Sequence, residues 1–326
     1  MPIRMRTRSQ MINIKEIVSG ATSIAISGHE RPDGDCIGST LGLYNYLRKI
    51  MPADTKIVVY LDKLGPRYSY LAGFENVDSE YEQCEPYDVF FSLDCSTPDR
   101  LGRAQDYLAS AGKSVCIDHH VSNLGFCDER FIDGDASSAC ELVFRLVPDD
   151  ELDENIAICL YSGIISDTGV LSFSCTSPET LRAAARLIEF GFDFSDIIQK
   201  SYYEKTYVQN MLLGLTLVDS VRFYDDKAIY GVVSDARMKE YDATPKDLDG
   251  IVNQLLATKG VHFAVFMYES GDHQYKVSMR SDGAVDVSKI AVAFEGGGHE
   301  RAAGCTIMGT PEEVIGKLSE HLKNYL

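Results

Sequence analysis

The 326-residue sequence has no apolar run approaching the roughly 18 residues of a membrane span. It has no Cys-x-x-Cys pair, no repeat period and no low-complexity tract. Membrane, fibrous, disordered and secreted-disulfide classes are therefore excluded. Positive charge is scarce: 31 Lys and Arg face 49 Asp and Glu, a formal net charge of -18. That field repels a long polynucleotide or an anionic membrane as main partner. It is compatible with a short anionic substrate held locally by metal ions and a few Arg residues. The nine cysteines are dispersed singly and no secretory leader is evident, which places reduced thiols in a cytoplasm. Cys116 and Cys159 lie in apolar runs, where cysteine acts as a small hydrophobe.

What is present is an ordinary globular composition, 45% apolar and 25% charged. At about 150 residues per domain the chain holds two domains. The first half alternates short β-branched runs with amphipathic stretches, the pattern of an α/β parallel sheet. Strands are expected at 22–27, 56–61, 88–93 and 114–117, with helices at 38–50, 137–146, 154–165 and 178–190. Residues 195–218 read as a helical connector. Beyond it the pattern becomes a smaller α+β unit: hairpins at 221–224/228–233 and 261–268/274–280, and helices at 245–257, 285–294 and 311–325. The expected division is a tail over 1–20, a parallel-sheet domain over 21–194, the connector, and a second domain over 219–326. Arg4, Arg6 and Arg8 fall in the tail.

In parallel α/β sheets ligands gather outside the carboxyl ends of the strands. His29, Asp33 and Asp35 follow the first strand, Asp94 the third, and Asp118-His119-His120 the fourth; Asp167 follows a helix. Alone, Asp33-Gly34-Asp35 is a surface turn and Asp94 a helix cap. Together they deliver carboxylates and imidazoles to one sheet edge, where the carboxylates would repel unless cations lay between them. Mixed N and O donors suit paired Mn²⁺, and Mg²⁺ less comfortably. Near the C-terminus, Gly296-Gly297-Gly298-His299-Glu300-Arg301 lets backbone N–H groups approach an anion, with His299 and Arg301 as further donors. It is not a dinucleotide fingerprint, because Gly-x-Gly-x-x-Gly is absent and it follows a helix.

His29-x-x-x-Asp33-x-Asp35, Asp94, Asp118-His119-His120 and Asp167 resemble the four motifs of the DHH phosphoesterase superfamily. The glycine segment and Ser278-Met279-Arg280-Ser281 resemble the signatures of the DHH-associated C-terminal domain. The resemblance runs from about residue 23 to 306 and departs at no ligand position. It is similar to the nanoRNase and 3′-phosphoadenosine 5′-phosphate phosphatase branch. The superfamily's pyrophosphatases lack the Gly-Gly-Gly-His signature, and its single-strand exonucleases are usually longer.

The resemblance implies two-metal phosphoester hydrolysis in an interdomain cleft. His29, Asp33 and Asp94 would hold one ion; Asp35, Asp94, His119 and Asp167 the other. Such a pair acidifies a bridging water and neutralises charge in the transition state. His120 would donate to a phosphoryl oxygen and Asp118 would orient the site. Arg280, Gly297, Gly298, His299 and Arg301 would grip a terminal phosphate or nucleotide backbone. The implied substrates are short oligoribonucleotides, cut to mononucleotides, and 3′-phosphoadenosine 5′-phosphate, cut to AMP. Two alternatives stand beside this: a phosphodiesterase for linear or cyclic dinucleotides (pGpG, pApA, c-di-AMP), and a non-catalytic nucleotide sensor. A homodimer through the first domain is a further implication of the resemblance.

Overall fold

The structure, a computed structural model, describes residues 11–82, 85–323 and 325. The chain divides between Glu204 and Lys205 into two compact units. In the first, apolar runs form β1 (Ser23–Ser27), β2 (Lys56–Tyr60), β3 (Val77–Asp78), β4 (Val89–Leu93), β5 (Lys113–Asp118) and β6 (Glu129–Ile132). They lie in the order β3-β2-β1-β4-β5-β6, all parallel. The helices are α1 (Ile14–Ile17), α2 (Gly34–Ile50), α3 (Gln105–Ser110), α4 (Ala139–Leu146), α5 (Glu154–Asp167), α6 (Pro178–Ile188) and α7 (Phe194–Ile198).

A parallel sheet must be covered on both faces, so its strands are apolar on both sides. Ile24, Ile26, Phe91 and Ile117 share a core with residues of α2, α4 and α5. The intervening Ala25 and Phe90 pack instead with Tyr60, Tyr87 and Tyr107. There the Tyr60 and Tyr107 rings stack at 4.4 Å, and the Tyr60 and Tyr87 hydroxyls share a 2.7 Å hydrogen bond. Glycine lets α2, α4 and α5 come together: a Cβ on Gly163 would lie 2.1 Å from Cys140 Sγ and 3.0 Å from Asp35 Oδ1. The strand order reverses direction between β1 and β4, which opens a crevice outside their carboxyl ends.

The second unit has α8 (Tyr207–Val218), β7 (Val221–Phe223), β8 (Ala228–Val233), α9 (Asp235–Glu240), α10 (Ile251–Leu256), β9 (Phe263–Gly271), β10 (Gln274–Ser281), α11 (Val287–Ala293), β11 (Gly297–His299), β12 (Ala302–Met308) and α12 (Pro311–Leu322). Its sheet has the order β11-β12-β10-β9-β8-β7. The β8–β9 pair is parallel and the rest antiparallel. Alternate residues of β9 divide the packing: Phe263, Val265 and Met267 join the α11 and α12 side, Ala264 and Phe266 the α8 and α10 side. Among the described residues no helix is long and apolar enough to cross a membrane.

The sequence expectations differ from the structure at identifiable places. Residues 1–10 of the expected tail lie outside the described residues. Within 11–20, however, α1 forms and Ile14 and Val18 are buried in the first core. The segment 195–218 holds most of α7, a π-helical turn at Gln199–Tyr203 and α8, with the division between units inside it. The helix expected over 245–257 is broken: a 3₁₀ turn at Pro245–Leu248 ends, Gly250 turns at φ 84°, and only then α10 begins. The C-terminal helix stops at Leu322 rather than 325. Within the glycine segment, Gly297–His299 form the strand β11. A Cβ on Gly298 (φ 144°) would lie 2.5 Å from Ala302 O, so this glycine serves the close approach of β11 to β12.

Candidate metal centre

The crevice at the β1/β4 reversal receives the first two groups of candidate residues, and β5 beside β4 delivers the third. After β1 the chain runs through His29 to Asp33, the N-cap of α2. One Asp33 oxygen accepts the Asp35 and Cys36 amides at 3.0 and 3.1 Å; the other lies 3.7 Å from His29 Nε2. His29 Nδ1 sits 2.8 Å from the Glu30 carbonyl. That contact places the ring proton on Nδ1 and leaves Nε2 to the carboxylates.

Asp94 is the hub. It follows β4 directly in the left-handed backbone region, φ 51°, with its amide donating to Ile117 O. Few non-glycine residues sit there, and aspartate and asparagine are the ones that do so most readily. Its side chain is 2% exposed. Oδ2 lies 3.5 Å from His29 Nε2, and Oδ1 lies 3.4 Å from His119 Nε2 and 3.5 Å from His120 Nδ1. Oδ1 is nonetheless buried without a hydrogen-bond partner among the described residues. His119 Nε2 also reaches Asp167 at 3.4 Å and Asp35 at 3.8 Å.

Asp35 is wholly buried and held from outside its own helix. The first two amides of α4, Ala139 and Cys140, donate to its two oxygens at 2.6 and 2.9 Å. It thus sits at the positive ends of α2 and α4, where a carboxylate is favoured. Asp167 sits at the opposite kind of terminus, the last residue of α5, where a carboxylate is disfavoured. Asp118 is buried against His120: its Oδ1 takes the ring at Nδ1, 2.8 Å, and its Oδ2 accepts 2.7 Å from Asn123 Nδ2. His120 Nε2 has no partner among the described residues.

The charges do not balance by themselves. Burial lowers the basicity of His29, yet Asp33 and Asp94 overcome it and hold the ring up to about 10. The same contest at His119, won by Asp94, Asp35 and Asp167, also ends at about 10. Asp118 raises His120. Burial works to raise Asp94, but His119 and His29 pull it down to about 2. Burial and Asp94 push Asp35 up to about 7, and burial with Asp35 and Asp94 lifts Asp167 well above the carboxylate range. Crowded carboxylates at strained ionisation are the state that cations relieve. The donor set fits: an orphaned buried carboxylate oxygen and imidazole nitrogens suit divalent ions of the Mn²⁺ and Mg²⁺ kind. Groups able to hold an ion include Asp94 with His119 and His120, and Asp35 with His119 and Asp167. Cys36 lies near His29 and Asp94 as well. Burial and Asp94 hold its thiol proton well above the usual range, which makes it a poor ligand for a hard cation.

The remaining candidates lie in the second unit. Arg280 pairs across the sheet with Ala264 on β9 and Ala302 on β12, and Ala302 pairs in turn with His299 on β11. Arg280, Ala302 and His299 therefore form one row, with small side chains flanking the guanidinium. Arg280 is half-buried, and burial lowers its pKa; its Nη1 donates to Met279 O at 3.0 Å. Gly297 and Gly298 precede His299 in β11, and all three are exposed. Arg301 lies off this row, beside Gly283: a Cβ there would be 3.1 Å from its Nη2.

Three contributors escaped the sequence reading. Asn123 holds Asp118. Ser138 caps α4, its Oγ accepting the Glu141 amide at 3.1 Å. Glu141, 1% exposed, accepts from the Ser137 amide and hydroxyl and from Thr180, and pairs with Arg145. The Ser-x-x-Glu spacing of a capping box was the available signal.

Residues 23–164 match the DHH family, N-terminal domain, and 225–326 match the DHHA1 domain. A Thermus thermophilus protein named bifunctional oligoribonuclease and PAP phosphatase NrnA is 30% identical over 290 residues, 88% of this chain and 84% of the relative. The chain belongs to the DHH family. The Bacillus subtilis protein of the same name is 28% identical over 295 residues, 89% of this chain and 91% of its own. A crystal structure of an exopolyphosphatase-related protein from Bacteroides fragilis superposes with a TM-score of 0.86 at 28% identity, covering 95% of this chain and 94% of that one. The matched range 23–164 includes His29, Asp33, Asp35, Asp94, Asp118, His119 and His120, and Asp167 lies three residues beyond it.

Proposed function

We propose that this DHH protein is a phosphoesterase that hydrolyses short oligoribonucleotides to mononucleotides and removes the 3′-phosphate of 3′-phosphoadenosine 5′-phosphate, using two Mn²⁺ ions in a cytoplasm. The observation that carries it is the buried, hydrogen-bond-orphaned Oδ1 of Asp94 beside two imidazoles. The activities named for the two NrnA relatives support the substrate class. His29, Asp33 and Asp94 would hold one ion and Asp35, Asp94, His119 and Asp167 the other. Bound there, divalent ions supply a water acidic enough to give hydroxide at neutral pH and offset charge on the phosphoryl oxygens.

The chain's own groups do the rest. Asp118 fixes the His120 ring through Nδ1 and leaves Nε2 to donate to a phosphoryl oxygen. The two α4 amides keep Asp35 in place as its protonation changes. Arg280 offers a planar fork to a phosphate, with His299 two strands away in the same row, and Arg301 and the exposed Gly297–Gly298 stretch would complete the grip.

The test is Mn²⁺-dependent hydrolysis of 5′-phosphorylated RNA of two to five nucleotides, pGpG, pApA, c-di-AMP, 3′-phosphoadenosine 5′-phosphate and pyrophosphate. Asp94→Asn is the control, because asparagine tolerates the left-handed backbone. Mononucleotide release from the short RNAs, lost in the variant, supports the proposal. Tight nucleotide binding without turnover of any substrate replaces it with a sensor.

A further inference from the structure

Cys116 lies within β5, fully buried, and Cys127 sits where the following loop returns to β6; their Sγ atoms are 2.8 Å apart. Among the described residues they are the one pair of cysteines whose sulfurs touch. Neighbouring bonds hold them there. Asp128 Oδ2 accepts the Ser114 amide at 2.8 Å and its hydroxyl at 2.7 Å, and the Asp128 amide donates back to Ser114 Oγ at 3.0 Å. The β5–β6 pairing of Val115 with Glu129 and Cys116 with Arg130 continues the same seam. The segment between the two sulfurs carries Asp118, His119, His120 and Asn123.

We propose that Cys116 and Cys127 are a modification site: a dithiol that closes to a reversible disulfide and tethers the loop that follows Asp118 and bears His119 and His120. Both are free thiols in the structure. A disulfide needs an S–S distance of about 2.05 Å, so closure brings the sulfurs together by only about 0.8 Å and leaves β5 in place. The oxidant class is a small peroxide. Cys116 is 0% exposed and Cys127 8% exposed, so the step begins at Cys127. Its thiolate attacks the peroxide O–O bond, forming a sulfenic acid and releasing one water. Cys116 sulfur then attacks the sulfenic sulfur, the S–S bond forms, and the hydroxyl leaves with a proton as the second water. The two sulfurs lose two electrons, the peroxide gains them, and both thiol protons end in water. The shared hydrogen bond with Cys116 and burial hold the Cys127 proton tightly. Closure is consequently slow and answers sustained oxidant rather than a brief pulse.

The test uses the full-length protein, reduced, desalted and then exposed to hydrogen peroxide. Remaining thiols are alkylated in denaturant and the peptides weighed. The expected product joins the Cys116 and Cys127 peptides, about two mass units lighter than their sum, and dithiothreitol reverses it. Amide hydrogen exchange over 119–126 slows roughly tenfold on oxidation. Cys127→Ser gives no cross-link and no peroxide-dependent slowing; Cys116→Ser, the second variant, gives the same result. Recovery of both cysteines fully alkylated after the exposed Cys175 has been oxidised overturns the proposal. A cross-link that leaves exchange over 119–126 unchanged overturns the tether.

Discussion

The backbone amide of Ala139 donates to Asp35 across 2.6 Å, although 104 positions separate the two residues in the chain. Asp35 has few other neutralising partners in the metal-free protein. Its burial without cations, and that of Asp94 and Asp167, sets the pH behaviour.

Chelated and metal-loaded protein are expected to respond to pH with opposite sign. His29 and His119 stand at about 10 against an ordinary 6.5. Between those values the folded chain binds protons that the unfolded chain has lost, so metal-free stability falls as pH rises from 6.5 toward 10. Asp35, raised from 3.8 to about 7, extends that fall to lower pH. Metal binding requires the same nitrogens and carboxylate deprotonated, so Mn²⁺ affinity rises with pH, about tenfold per unit for each proton displaced. Melting curves with and without chelator from pH 6 to 9, with calorimetry in two buffers, read both slopes. Parallel slopes would refute this account.

Glu141→Ala is expected to destabilise the first unit by about 2–3 kcal/mol, because it removes one of the two carboxylates that pair with Arg145, leaving Asp133, and takes the buried acceptor from the Ser137 and Thr180 donors. Mn²⁺ affinity should fall about tenfold or more as the start of α4 loosens around Asp35. Glu141→Gln should cost less on both counts. Urea titration and metal binding measure them separately.

Gly163→Ala and Gly42→Ala form a matched pair. Each adds one methyl at a close helix contact, and each new Cβ meets a side chain: Cys140 Sγ on α4 at 2.1 Å for Gly163, Leu160 Cδ2 on α5 at 2.5 Å for Gly42. Gly163 alone also faces Asp35 Oδ1. Both should lose roughly 1–3 kcal/mol, but turnover should fall at least about tenfold only in Gly163→Ala. Comparable turnover in the two would show that the Asp35 position does not matter.

Arg280→Ala is expected to raise the Michaelis constant for a 5′-phosphorylated dinucleotide by roughly 10- to 100-fold, the worth of charge-assisted hydrogen bonds. Arg280→Lys should recover little, lacking the planar fork. Arg301→Ala should cost less, because that guanidinium lies beside the Asp282–Gly283 turn. Steady-state kinetics with kcat held separate from KM decides it.

The parts of this molecule readable in the sequence are those governed by local pattern. β1, β4 and β5 announce themselves as apolar runs, and each metal-site candidate but Asp167 follows a strand. β3, of two residues, and β6, of four, are too short for a period to form. β11 is hidden because Gly297 and Gly298 lack strand propensity and pair only through β12. The Arg280–Ala302–His299 row depends on register across three strands, which no linear spacing encodes. Glu141 owes its place to Thr180, 39 positions away, so its role follows from helix packing.

The backbone at Asp94 constrains this protein's descendants. A left-handed residue directly after β4 admits aspartate, asparagine or glycine with little strain and other side chains only at a cost. Aspartate codons reach both asparagine and glycine by one base change. The easiest heritable lesion at the hub therefore removes a charge while leaving the chain able to fold. A duplicated gene on this scaffold is one mutation from a folded protein whose hub has lost its charge, and the reverse mutation restores it.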